Sequence, residues 1–133
     1  MGFVRFQELE VYRLAETISD AVWAVVERWS SFAQDTVGKQ LVKAADSVGA
    51  NIAEGSGRGS RFDNRRHVRI ARGSFNEVQH WLRRAFARKL LTPEQIADLR
   101  SQMDKLGPKL NAYLTSFGRA PSESDTKRKT PGA

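Results

Sequence analysis

Apolar side chains recur along this chain at alternating intervals of three and four residues, a period suited to helices packed side by side. The first seam runs Val11, Ala15, Ile18, Val22, Val25, Trp29, and after a break around Ser30, Ser31 and Asp35 a second runs Val37, Leu41, Ala44 or Ala45, Val48, Ile52. The third is Val68, Ala71, Phe75, Val78, Leu82, Ala85, and the fourth is Ile96, Leu99, Met103, Leu106, Leu110, Tyr113, Phe117. No segment alternates with period two over a useful length, so a sheet has no support. Four seams of similar length with short connections predict an all-α, antiparallel up-and-down four-helix bundle.

Punctuation fits that reading. Gly55, Gly57 and Gly59 should end the second helix by accepting positive φ. Thr92, Pro93 and Gln95 form the start of the fourth helix, and Gly107-Pro108 inside it should bend or split it. From Gly118 onward almost nothing is apolar. The expectation is one domain over residues 1–117 and a disordered basic tail over 118–133, with Lys127, Arg128 and Lys129 as a weak extra electrostatic contact. Off the seams, Tyr12 and Trp23 flank the first helix while Ile70 and Trp81 flank the third, positions suited either to a subunit interface or to an irregular core edge.

Composition narrows the chemistry. The chain has 133 residues, no cysteine and two histidines, which removes disulfides, thiolate nucleophiles and a three-histidine metal centre. No apolar run is long enough for a secretory signal or a membrane span, so a soluble cytoplasmic protein without a membrane partner is expected. Gly55 to Ser60 superficially resembles a phosphate-cradling loop, but it follows a helix and lacks the Gly-Lys-Ser/Thr ending. Glu77 and His80 have di-iron spacing in one copy only, and Ser74 has no histidine and acid in a triad pattern. No catalytic residue, metal or cofactor is assigned.

Charge is unevenly distributed. Residues 1–57 carry 5 basic and 8 acidic side chains, residues 58–89 carry 10 and 2, and residues 90–133 carry 7 and 5. The formal net charge of +7 therefore arises mainly in the loop after the second helix and in the third helix, where arginine outnumbers lysine nine to one. Arg65, Arg69, Arg72 and Arg83 share one helical face with Asn76, Gln79 and His80, and Arg58 and Arg61 extend it into the loop. One reading is a track for nucleic-acid phosphates, since guanidinium groups bind them bidentately. The alternative is an assembly scaffold whose basic face pairs with acidic protein surfaces, among them Glu8, Glu10, Glu16, Asp20 and Glu27 of the first helix, within a subunit or across an interface.

Several polar residues lie outside the periodic pattern: Asn51, Glu54 and Arg58 at the second helix's exit, and Gly73, Ser74 and Glu77 midway along the third. Gly73 in a helix interior suggests close approach of another helix, and Glu54 is placed to pair with Arg58 or with an arginine of the third helix. Ala50-Asn51-Ile52-Ala53-Glu54-Gly55-Ser56-Gly57-Arg58, followed by Ile70-Ala71-Arg72-Gly73-Ser74-Phe75-Asn76-Glu77, resembles the signature stretches of the four-helix bundle proteins encoded in 23S ribosomal RNA intervening sequences. The opening Phe6 to Tyr12 resembles that family's start, and the likeness spans roughly residues 5–117.

The resemblance implies a ring-like homopentamer in bacterial cytoplasm with no established enzymatic activity. A related group, the accessory variability proteins of diversity-generating retroelements, works with a reverse transcriptase and RNA through a basic surface. For Asn51, Glu54, Gly55, Arg58, Ser60, Ala71, Gly73, Ser74 and Glu77 the resemblance implies structural or assembly roles. This sequence departs from the family pattern at the Ser30 to Thr36 connection, at Gly49-Ala50 and at Gly107-Pro108.

Overall fold

The four seams become four long helices in a computed structural model that describes residues 5–118. A 3-10 turn at Phe6–Glu8 leads into α1, Glu10–Val26. One α-turn at Ser31–Ala33 and a π-helical turn at Gln34–Gly38 then run directly into α2, Lys39–Ser56; α3 is Arg61–Ala87 and α4 is Pro93–Thr115. Among the described residues there is no strand. The reading of residues 119–133 as a tail, with Lys127 to Lys129, lies outside the described residues.

Each seam is the buried stripe of its helix. Leu41, Ile52, Val68, Val78, Leu106 and Leu110 are fully enclosed, and the other seam residues from Val11 to Val25 and from Ala71 to Ala85 join them in the interior, except half-buried Leu82. Burying such stripes on four helices is the main favourable term in a bundle of this kind. α1 packs against α2 and α4, and α3 packs against the same two helices, so α1 and α3 lie diagonally opposite. Paired contacts fix the directions: Tyr12 lies against Gly49 while Ser19 Oγ donates to Ala45 O at 3.0 Å, Ser47 meets Ser74 at 2.8 Å while Asn51 meets His67, and Lys109 near the end of α4 pairs with Glu10 at the start of α1 at 3.2 Å. Neighbouring helices are antiparallel throughout.

The start of α4 forms as its sequence indicates. Thr92 Oγ1 accepts from Gln95 N, and the Gln95 side chain accepts from Thr92 N, with Pro93 at the first turn. Three other expectations are corrected. Helix α4 is not split at Gly107-Pro108 but runs through it, with Pro108 and Asp104 both exposed. The second helix ends at Gly57 with φ −82°, so no left-handed glycine is needed. Helix α1 stops at Val26, short of Trp29, and Gln34 Nε2 donates to Val26 O at 3.1 Å and Glu27 O at 3.0 Å to satisfy its last carbonyls. Trp29 instead donates its indole N–H to Leu90 O at 2.9 Å, joining the two loops at that end of the bundle.

At the opposite end, burial pushes the Tyr113 phenol above its ordinary value near 10, with the Asn64 side chain acting weakly the other way. Tyr12 is raised too, by burial first and by the Glu16 carboxylate second. A raised folded-state pKa favours the protonated phenol, so its contribution is complete below pH 10 and is lost as pH rises through the folded value. Urea midpoints should therefore fall above pH 10 more steeply for the natural chain than for Tyr113→Phe. Parallel curves from pH 8 to 11 would contradict this.

Candidate nucleic-acid interface

Helix α3 begins where Ser60 Oγ accepts from Asp63 N at 3.0 Å, and its apolar stripe faces α2 and α4. The same helical period carries the arginines to another face. The six arginines singled out from sequence divide into two groups by their partners. Arg61 and Arg65 reach across to the end of α4: Arg61 Nη2 donates to Ser116 O, its Nε donates to Phe117 O at 3.4 Å, and Arg65 Nε donates to Gly118 O at 2.8 Å. The Arg61 guanidinium also lies 5.8 Å from the Phe117 ring centroid. Cations at a helix C-terminus satisfy its unpaired carbonyls and oppose its dipole, which makes these two arginines a clamp closing α3 on α4.

Arg58 donates to Glu54 at 2.6 Å across one turn, both side chains being about half exposed. That settles which of its two candidate partners Glu54 takes, and an exposed pair of this kind adds little stability. Arg69, Arg72 and Arg83 are exposed and, among the described residues, have no carboxylate within 4.0 Å. The pairing of α3 with acidic α1 inside one subunit is thus not found, for a topological reason: the two helices are diagonal partners. The acids of α3 itself, Asp63 and Glu77, fall on its other flank, with Asp63 4.0 Å from Arg66 and Glu77 Oε2 accepting the Trp81 indole N–H at 3.1 Å. Free guanidinium groups on one stripe without interleaved carboxylates make a surface of concentrated positive potential, suited to a polyanion.

The remaining assembly residues divide between the α2–α3 contact and the surface. Asn51 Nδ2 donates to Ser47 O at 2.9 Å and Ser47 Oγ at 3.0 Å, which turns Asn51 Oδ1 toward His67 Nδ1 at 3.2 Å. That oxygen accepts from His67 Nδ1–H, and His67 Nε2 has no protein partner among the described residues. Ser74 joins the same polar seam through Ser47. Gly55 is buried where an added Cβ would meet Asn64 Oδ1 at 2.7 Å, His67 Cβ at 2.9 Å and Asn64 O at 3.1 Å. Close helix approach thus occurs at Gly55. At Gly73, where sequence suggested it, an added Cβ meets nothing within 4 Å.

Of the flanking residues singled out from sequence, Tyr12 and Trp81 are half-buried against the core, while Trp23, at 60% exposure, and Ile70 are exposed, as are Phe32, Phe62 and Phe86. His67, buried within the arginine-rich helix, was missed by the seam analysis. Its place four residues before Ala71 and eight before Phe75 was the available signal. Among the described residues no three His, Asp or Glu side chains gather as a metal site, and no helix is long and apolar enough to cross a membrane.

The sequence profile described as 23S rRNA-intervening sequence protein matches residues 7–112. The fold is similar to the crystal structure of a protein of unknown function in the S23 ribosomal protein family from Bacteroides thetaiotaomicron: the TM-score is 0.69 at 21% identity, over 78% of this chain and 97% of that one. No match is found among curated proteins. With both signature stretches inside the matched region, the chain belongs to the 23S rRNA-intervening sequence protein family.

Proposed function

We propose that this protein is a non-enzymatic, homo-oligomeric helical module of the cytoplasm that binds the phosphate backbone of RNA or DNA through the exposed face of α3. The observation that carries the reading is the stripe of Arg69, Arg72 and Arg83, exposed and without carboxylate partners among the described residues. Arg58, Arg61 and Arg65 add positive charge near the start of the helix while part of their donor capacity is committed within the chain. Guanidinium groups along a rigid rod suit regularly spaced phosphates, and no aromatic row alternates with them to stack bases. Recognition by backbone rather than by sequence follows. The homopentamer and the association with a reverse transcriptase implied by the family resemblance belong to the same proposal.

The test is competition. Protein bound to labelled structured RNA at low salt should be displaced about equally by unlabelled duplexes of unrelated sequence and equal length. A mobility shift absent at low salt, or a preference above about 100-fold for one sequence, would contradict backbone binding.

A further inference from the structure

Helix α3 packs closely along α2 but leaves an open groove of about 1010 Å³ against α4. Its lining includes Phe75, Leu82, Phe86, Leu91, Leu99 and Met103, and Phe86 is 61% exposed. Arg83 on α3, with Arg100 and Asp104 on α4, also borders it. An apolar surface of this kind with a polar rim is an association site in want of an occupant. The undescribed termini are poor candidates. Residues 119–133 contain no Leu, Ile, Val, Met or aromatic side chain, and the chain leaves Gly118 at the end clamped by Arg61 and Arg65, away from the groove. The described residues begin at that same end, where Arg5 and Phe6 adjoin Ser56 to Gly59.

The opposite side of the bundle bears a matching feature. Tyr12, Glu16, Asp20, Trp23 and Glu27 follow one another at intervals of four, four, three and four residues and so share a stripe of α1. Tyr12 lies against Gly49 of α2, whereas Glu10 pairs with Lys109 of α4, which places the stripe on the α2 side of α1. The groove lies between α3 and α4, so the two features stand on opposite faces. They also stand at one height: α1 and α4 are antiparallel, and thirteen residues beyond Glu10, about 20 Å at the helical rise, Trp23 is level with the turn containing Ile96 and Leu99.

We propose that the occupant of the groove is a second copy of this chain, which inserts Trp23 between α3 and α4, sets Asp20 beside Arg100 and turns Glu27 toward Arg83. The inference rests on the self-association in the proposed function and assigns its two surfaces. A tryptophan entering an apolar cleft is the usual kind of interface anchor. The acids a turn to either side fix the register against the rim arginines. A protrusion and its recess on opposite faces repeat head to tail, and such contacts close into a ring when the rotation permits. Arg69 and Arg72, farther along the stripe, stay available for phosphate.

Native mass spectrometry and disulfide trapping test this together. Trp23→Ala, at an exposed helix position, should retain the helical circular dichroism and shift the oligomer to monomer mass. Because the chain has no cysteine, Asp20→Cys and Arg100→Cys can be placed in separate chains, and oxidation should link them only when the two are mixed. An oligomer whose mass is unchanged by Trp23→Ala and which gives no mixed-chain link overturns the proposed surfaces and leaves self-association standing. A natural chain that is monomeric at all concentrations overturns both.

Discussion

Replacing Arg69 and Arg72 together with alanine is expected to weaken binding to duplex DNA about 30-fold near 0.15 M salt and leave thermal stability unchanged. Each phosphate contact releases counterions and contributes about 0.9 to the slope of log affinity against log salt, so losing two lowers the slope by about 1.8. Referred from about 1 M down to 0.15 M, that slope change gives the stated factor. Stability should hold because both side chains are exposed and neither makes a hydrogen bond or ion pair among the described residues. Arg65→Ala is expected to behave differently. It removes the donor to Gly118 O, so a drop in thermal stability of about 0.5–1.5 kcal/mol should accompany any loss of binding. Comparable melting temperatures for Arg65→Ala and the Arg69/Arg72 double variant would contradict this division of labour.

Two glycines inside helices should respond in opposite directions to the same substitution. Gly55→Ala introduces a methyl group into contact with the Asn64 carbonyl oxygen, which belongs to the backbone of α3 and cannot rotate away. Separating α2 from α3 enough to admit it strains the Asn51–His67 and Ser47–Ser74 bonds and should cost about 1–3 kcal/mol. At Gly73 an added Cβ meets open space and the residue is exposed within α3. Gly73→Ala should therefore stabilise the fold by about 1 kcal/mol through helix propensity alone. Chemical denaturation of both variants decides the matter; two effects of the same sign would mean that the α2–α3 contact is not as described.

What the sequence discloses follows from the range of each interaction. Val11, Ala15, Ile18 and Val22 announce their burial because helical periodicity is local, and the cap at Thr92 is legible for the same reason. Arg61 and Arg65 read as members of a uniform arginine face, since their partners Phe117 and Gly118 lie more than fifty residues away in sequence. Gly55 and Gly73 look alike as helix glycines, and only the position of α3 tells them apart. Trp29 has the spacing to extend its seam, yet its indole is claimed by Leu90 in a distant loop. Charge segregation, by contrast, is visible in the sequence. The topology then denies the acidic α1 any access to it within one subunit.

The phosphate-track reading stands or falls on the salt dependence of binding to a duplex of arbitrary sequence. With Arg69 and Arg72 on phosphates, log affinity should fall linearly with log salt at a slope of about −1.8 or steeper, and the Arg69→Ala, Arg72→Ala double variant should reduce that slope by about 1.8. Binding that is absent at low salt, or that is present with a slope unchanged in the double variant, would contradict it.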